Sequence, residues 1–303
     1  MWADLMVIPR DTFYIVDNTV VPIYDITSPC GTHVYKFRRL VCTKKTSPSI
    51  VALYTCASLK SKVCVKSTLT SERREVEDVV TLNAKMHGNE PCIVPAVVAF
   101  RARTDLTCEH PSMFNAILMP FFETCLNSHV HLDTSQKLDC VIQITSHCAR
   151  LYKLGFCYMD LKLPNVVMYE SAKKFMLIDY GSLGANGSLT GQSTFPPPCF
   201  PSGVNVLCDE RYVVYGVGVL LVALLRADLF DTSGFKYEPN HTVEAKLAAR
   251  DRIVAAGANA VRGIGNVFMR SLVQDALTCS VTLAEFKRRL EKYAAYVKKA
   301  DSC

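Results

Sequence analysis

The sequence lacks the patterns that mark membrane, exported and repetitive proteins. Its longest apolar run, Tyr212–Leu225, is shorter than the roughly twenty residues that a helix needs to cross a bilayer, so we expect a buried helix and no membrane insertion. The first ten residues include Asp4 and no long apolar core, so they do not resemble a signal peptide. No internal repeat and no low-complexity tract is present.

Paired metal-binding cysteines are also missing, because none of the 14 cysteines belongs to a C-x-x-C motif. Many lie inside apolar runs, as Cys148 and Cys157 do, which is typical of buried, reduced thiols. The sequence therefore predicts an intracellular protein, of cytoplasm or nucleus. A metal site at Cys125, His129 and His131 is the alternative, but this cluster does not supply four ligands.

Charge is modest, with a net value of +6 over 303 residues, half of which are hydrophobic. This composition predicts a globular protein with one large domain or two packed lobes. The basic clusters, for example Lys36–Arg39 and Lys287–Arg289, have no regularly interleaved aromatic residues. We therefore interpret them as solvated faces and do not expect nucleic-acid binding.

The first third of the chain alternates β-rich runs with turns and contains one helical pattern after Ser71. The order is three strands, a helix and two strands. The predicted strands are Val34–Cys42, Ile50–Ser58, Val63–Ser67, Cys92–Phe100 and Phe114–Phe121.

Beyond Phe122 the pattern becomes helical. Asp133 or Thr134 can cap a helix that ends at Gly155, and two short strands and a polar loop, 181–205, follow. The remaining predicted helices are Glu210–Leu225, Val243–Ala256, about Val261–Leu277, and Leu283–Lys299. The fold class is thus α+β, with an N-terminal extension (1–33), a small β-rich lobe (34–122) and a larger helical lobe (123–303).

The segment 158–181 has the residues that phosphoryl transfer requires. Transfer needs a carboxylate that orients the attacking hydroxyl and accepts its proton, a cation for the phosphoryl group, and oxygen ligands for Mg²⁺. Asp160 can be the carboxylate, Lys162 the cation, and Asn165 and Asp179 the metal ligands. They project from a loop after a helix and from the end of a strand, where Gly181 permits a sharp turn.

This D-L-K-x-x-N and D-Y-G pair resembles the catalytic and metal-binding loops of the protein kinase superfamily. The resemblance implies a bilobal kinase fold, ATP and Mg²⁺ as cofactors, and protein substrates. It assigns catalysis to Asp160 and Lys162, and metal binding to Asn165 and Asp179. The lysine two residues after Asp160 favours Ser/Thr over Tyr as the acceptor.

Two upstream segments extend the resemblance. Val63–Lys66 is similar to the V-A-I-K strand, which implies that Lys66 holds the α- and β-phosphates and pairs with a glutamate on the next helix. Glu75 is the preferred partner, with Glu77 and Glu72 as alternatives. Asn115–Phe122 resembles the last strand and the hinge, so Met119 should lie near the residue that guards the back pocket, and backbone groups near Pro120, Phe121 and Phe122 should bind adenine.

The phosphate-covering loop departs from this pattern. Family spacing puts it at Lys44–Val51, where Lys44, Thr46 and Ser49 replace the three glycines that let the backbone approach the phosphates. The residue before Asp160 is Met159 instead of an arginine that pairs with an activation-loop phosphate. We therefore expect activity that does not depend on activation-loop phosphorylation.

Such divergence resembles the kinases of large DNA viruses, and the D-Y-G variant resembles the vaccinia-related kinases. The resemblance thus favours an active Ser/Thr protein kinase. A virus-infected host cell is one setting that it implies. One alternative is a pseudokinase that acts as a binding or scaffold module, for which the altered phosphate loop argues. Another is a small-molecule kinase of the aminoglycoside phosphotransferase type, against which Lys162 and Gly181 argue.

Overall fold

A computed structural model gives the fold as two compact units, residues 1–122 and 123–303. The structure describes residues 14–16, 19–21, 25–27, 34–46, 49–56, 61–69, 78–79, 81–82, 85, 99–103, 113–120, 122, 124–126, 131–169, 173–190, 206–226 and 243–300. Within these ranges, no helix has the length and apolar character needed to cross a bilayer.

The first unit is built on a six-stranded antiparallel sheet with the order β3-β4-β5-β6-β8-β7. A separate two-stranded pair, β1 and β2, precedes it. The strands are β1 Tyr14–Val16, β2 Thr19–Val21, β3 Asp25–Thr27, β4 Val34–Thr46, β5 Ser49–Cys56, β6 Ser61–Leu69, β7 Ala99–Arg103 and β8 Met113–Pro120.

The predicted order of three strands, a helix and two strands is present within this unit. Residues 78–79, 81–82 and 85 are helical, and Val79 and Leu82 are fully buried. β7 continues past its predicted end at Phe100 through Arg101 and Arg103, which an apolar-run criterion does not count, and the predicted residues 92–98 lie outside the described residues. The three-residue strands β1–β3 were missed, since each is too short to show a period of two.

The second unit is mainly helical. Its helices are α1 Thr134–Lys153, α2 Glu210–Leu225, α3 Val243–Arg262, α4 Val267–Leu277 and α5 Leu283–Ala300. Asp133 begins α1 through a capping box with Gln136, and Gly155, with φ of 95°, follows the helix end as predicted. α2 is buried over nearly its whole length, so it forms the centre of this unit.

Short strands position the loops of the second unit. They are β9 Thr124–Cys125, β10 Phe156–Tyr158, β11 Val166–Tyr169, β12 Lys174–Leu177, β13 Leu183–Ala185, β14 Leu189–Thr190 and β15 Val206–Leu207. β11 lies between β9 and β12, while β10 pairs with β13 and β14 with β15, all antiparallel. The prediction of a loop from Gly181 was therefore wrong for β13 and β14, because composition does not reveal their backbone hydrogen bonds to β10 and β15.

The boundary between α3 and α4 also differs from the prediction. α3 continues to Arg262, and α4 begins after Asn266, whose side chain accepts a hydrogen bond from the Met269 amide at 3.0 Å. Gly263 and Gly265 separate the two helices. The helical pattern predicted from Val261 thus ran across a real break, because apolar residues continue on both sides of the glycines.

Candidate active site

The predicted catalytic loop lies between β10 and β11. It leaves β10 at Tyr158 and closes with a 3-10 turn, Leu163–Asn165, in which the Asn165 amide donates to the Lys162 carbonyl at 3.0 Å. Pro164 occupies an early position of that turn, where its missing N–H costs no hydrogen bond. The turn brings Asn165 back toward Asp160.

Asp160, Lys162 and Asn165 form one connected cluster. The Asn165 side-chain nitrogen donates to the backbone carbonyl and to Oδ2 of Asp160, both at 2.9 Å. The Lys162 ammonium lies 2.7 Å from the same Oδ2. Asp160 and Asn165 are buried, whereas Lys162 stays partly exposed, so the buried carboxylate is paired with a cation that solvent still reaches.

Asp179 follows β12 and has a strained backbone. Its φ of 65° and ψ of 72° are left-handed, a conformation that costs a non-glycine residue free energy and that clusters at functional sites. The preceding Ile178 amide donates to the Asn165 carbonyl at 2.9 Å. This bond ties the segment that carries Asp179 to the turn that carries Asn165.

Tyr158 joins the two segments a second time. Its buried hydroxyl lies 2.5 Å from the Ile178 carbonyl and 3.1 Å from the Asp179 carbonyl, and its ring packs edge-on against Tyr180. Burial, and then the negative charges of Asp179 and Asp160, raise the pKa of Tyr158 well above its usual range. The hydroxyl therefore remains protonated and acts as a donor.

Helix α2 packs against the predicted catalytic loop. The Tyr212 hydroxyl donates to the Met159 carbonyl at 2.6 Å, and a Cβ at Gly216 would make ordinary contact with Leu161. Asp209 caps α2 through the Tyr212 amide and pairs with Arg211 at 2.7 Å. The sequence analysis did not predict a role for Tyr212, although a tyrosine in a largely apolar helix is a signal.

Met159, the residue before Asp160, is buried. Its amide donates to the Ser182 carbonyl at 3.0 Å, and a Cβ at Gly184 would lie 3.4 Å from its Cγ. Its side chain therefore packs against the start of the predicted activation segment, where an arginine would be desolvated.

In the first unit, Lys66 lies in the central part of the sheet. It is half-buried on β6 and pairs with Val51 on β5 and with Ile117 on β8. Met119 pairs with Cys64, two residues before Lys66, and burial raises the pKa of the Cys64 thiol to about 11. The sheet thus brings Val51 next to Lys66.

The predicted phosphate-covering loop is a tight β-hairpin between β4 and β5. Lys44 pairs with Val51 and Thr46 with Ser49, which leaves two residues between the strands. Phe122 is half-buried. Glu75 and Phe121 lie outside the described residues, as do Glu72 and Glu77.

The alternative metal cluster gains no support. The exposed Cys125 thiol lies 3.0 Å from the Pro164 carbonyl, His131 is exposed, and His129 lies outside the described residues. The part of the chain that the structure describes contains no group of three or more metal-binding His, Cys, Asp or Glu side chains.

Comparison with known proteins identifies the fold. The chain is similar to ROP2 from Toxoplasma gondii, a virulence factor with a protein-kinase fold and no enzymatic activity. The two share 14% sequence identity, the TM-score is 0.58, and the match covers 90% of this chain and 85% of that chain. Many other solved structures match, but no protein-family profile and no curated protein does. The chain therefore has a protein-kinase fold of the α+β class, which confirms the expected fold.

Proposed function

We propose that this chain is an active Ser/Thr protein kinase that transfers the ATP γ-phosphate to protein hydroxyl groups. The connected cluster of Asp160, Lys162 and Asn165 carries the proposal, together with its backbone link to Asp179. Phosphoryl transfer depends mainly on positioning and electrostatic stabilisation, and this cluster supplies a fixed carboxylate, a fixed amide and a cation within a few ångströms.

Each side chain has a separate proposed role. The acceptor hydroxyl gives its proton to the Asp160 carboxylate as its oxygen attacks the γ-phosphorus, and the bond from that phosphorus to the bridging oxygen breaks. Lys162, whose side chain is 31% exposed, stabilises the negative charge of the transferred group. Lys66 holds the α- and β-phosphates of the nucleotide, and Met119 lies beside the adenine.

The donor set fits Mg²⁺. Because the Asn165 side-chain nitrogen donates to Asp160, its oxygen is left to act as a metal ligand, and Asp179 adds a carboxylate. Mg²⁺ prefers oxygen ligands and is commonly bound by one or two protein groups together with substrate phosphates. When bound there, the ion would neutralise phosphate charge.

A pseudokinase that acts as a binding module is the second candidate. The β4–β5 hairpin has Lys44, Thr46 and Ser49 where backbone must approach phosphates closely, and its strands stay paired up to a two-residue connection. ROP2, which shares the fold, has no enzymatic activity. This candidate predicts that the protein does not bind ATP, even though the residues of the predicted catalytic loop are in place.

The test measures Mg²⁺-dependent transfer of labelled phosphate from ATP to the protein itself, to casein and to myelin basic protein. Asp160→Asn and Asp179→Ala are compared with wild type, and Asp133→Asn is the matched control because asparagine caps helices as well as aspartate does. We expect the control to match wild type and Asp160→Asn to lose about 10²- to 10⁴-fold in rate, the usual contribution of a general base.

Nucleotide binding separates the two candidates. We expect ATP to raise the melting temperature of wild type and of Asp160→Asn in the presence of Mg²⁺, and Asp179→Ala to lose this Mg²⁺ dependence. Wild-type protein that neither binds ATP nor transfers phosphate would establish the pseudokinase. Transfer that survives in both site variants would contradict the assignment of Asp160 and Asp179.

A further inference from the structure

A cavity of about 310 Å³ lies among helices α2, α3 and α4, away from the catalytic loop. Its volume is at the lower end of the roughly 300–1000 Å³ typical of small-molecule sites. The walls nearest the interior are apolar and come from one stripe of α2, Tyr215, Val219 and Val222, and from Val261 of α3. An apolar group that enters the cavity would be removed from water.

Small residues on α3 create the space. Gly257 is buried and Ala258 is exposed, and both line the cavity where larger side chains would fill it. α2 and α4 are already in close contact, because a Cβ at Gly218 would lie 2.7 Å from the Cβ of Ala276. The cavity therefore has two fixed walls and one wall of low side-chain volume.

The mouth of the cavity is cationic. Arg262 is exposed, and the Arg270 guanidinium is held in place by two hydrogen bonds to the Ile264 carbonyl, at 2.9 and 2.8 Å. Neither arginine pairs with a carboxylate within the ranges that the structure describes, and the residues around the cavity include no acidic side chain. Gln274 and Thr278, further along α4, add neutral polar groups to the lining.

We infer that this cavity binds a small amphipathic carboxylate, such as a medium-chain alkanoate. The alkyl tail lies along Val219, Val222 and Val261, and the carboxylate meets Arg262 and Arg270 at the mouth. Guanidinium–carboxylate hydrogen bonds are stronger than neutral ones, and a planar guanidinium fixed by other bonds loses little freedom on binding. A neutral or cationic ligand of the same length would satisfy the apolar wall but would give neither arginine a carboxylate partner.

The site goes beyond the proposed kinase activity and does not depend on it. α2 has two faces, of which one supports the catalytic loop through Tyr212 and Gly216, and the other lines the cavity through Tyr215 and Val219. Ligand binding to the cavity can therefore be measured on the whole chain whether or not the chain transfers phosphate.

The test is a calorimetric titration of the full chain with decanoate at neutral pH, repeated with decanol and with decyltrimethylammonium. We expect one decanoate per chain and at least about tenfold weaker binding of the two other ligands, the loss expected when a charge-assisted bond is absent. Saturating decanoate should also raise the melting temperature.

Two pairs of variants locate the site. Ala258→Phe fills the cavity and Arg262→Gln removes a cation from its mouth, whereas Ala255→Phe and Arg252→Gln make the same changes at exposed α3 positions outside it. We expect Ala258→Phe to abolish binding, Arg262→Gln to weaken it about tenfold, and both controls to bind like wild type. No binding of decanoate to the wild type, or equal binding to Ala258→Phe and Ala255→Phe, would overturn the proposal.

Discussion

The Tyr212 hydroxyl gives the sharpest test of how the fold positions the catalytic loop. It donates from α2 to the Met159 carbonyl at 2.6 Å, one residue before Asp160, and Tyr212 is only 2% exposed. Tyr212→Phe removes this donor and leaves the ring and its packing in place. Any effect of the substitution therefore reports the hydrogen bond rather than a cavity.

The size of the effect follows from burial. A buried carbonyl that loses its donor costs about 1–3 kcal/mol, and no water replaces the donor where the surroundings are closed. If part of that cost appears as displacement of Asp160 from its reactive position, about 1.4 kcal/mol lowers kcat about tenfold. KM for ATP should stay within about twofold, because Tyr212 contacts the loop and not the nucleotide.

Steady-state phosphate transfer measures the effect on kcat, and urea denaturation measures the effect on the free energy of unfolding. Tyr296→Phe is the control, since Tyr296 is 68% exposed and its ring contacts that of Tyr293. A Tyr212→Phe protein with wild-type kcat and wild-type unfolding free energy would refute the argument that this bond positions the loop. A proportional rise in KM with unchanged kcat would instead make Tyr212 a determinant of nucleotide binding.

Three further predictions concern pH, packing and regulation. Burial lowers the pKa of His147 to about 4, so between about pH 6.5 and pH 4 the unfolded state binds a proton that the folded state does not. The free energy of unfolding should therefore fall by about 3 kcal/mol as the pH is lowered from about 6.5 toward 4. Urea titrations of His147→Gln should lack that loss, and those of the exposed His131→Gln should keep it. Gly218→Ala should destabilise by about 1–3 kcal/mol because its Cβ meets Ala276, whereas Gly216→Ala should be neutral or slightly stabilising in thermal melts. Phosphatase treatment should leave activity unchanged because Met159 provides no cation for a phosphate, and a strict loss of activity would contradict this.

The residues of the candidate site were predictable where the signal is local. Asp160, Lys162 and Asn165 lie within six residues, and a loop followed by a turn brings them together almost independently of the rest of the chain. Asp179 needed one more step, the pairing of β11 with β12, the two short strands that the sequence predicted. The capping box at Asp133 was equally local, and the structure confirms the helix that begins there.

The supports of the loop could not be read in the same way. Tyr158 reaches carbonyl groups 20 and 21 positions away, and Tyr212 reaches one 53 positions away. Their partners are backbone groups, which every residue has, so no pattern of side chains marks the pairing. The strand β13 escaped prediction for the same reason, since its partner β10 is 25 or more residues earlier.

The central question is whether a buried polar cluster persists for chemistry or for structure. Within the described residues, Asp160 and Asn165 are two of only three buried polar or charged residues, and burying a carboxylate is costly unless its partners are well placed. Lys162 and Asn165 offset that cost, but an apolar loop would avoid it altogether. A site that gives up stability for function would have this character, and Asp160→Asn distinguishes the two explanations. If it serves chemistry, the variant should lose phosphate transfer while its unfolding free energy stays equal or rises. If it serves structure, the variant should lose stability because the ion pair with Lys162 disappears. The protein would then not need to bind ATP.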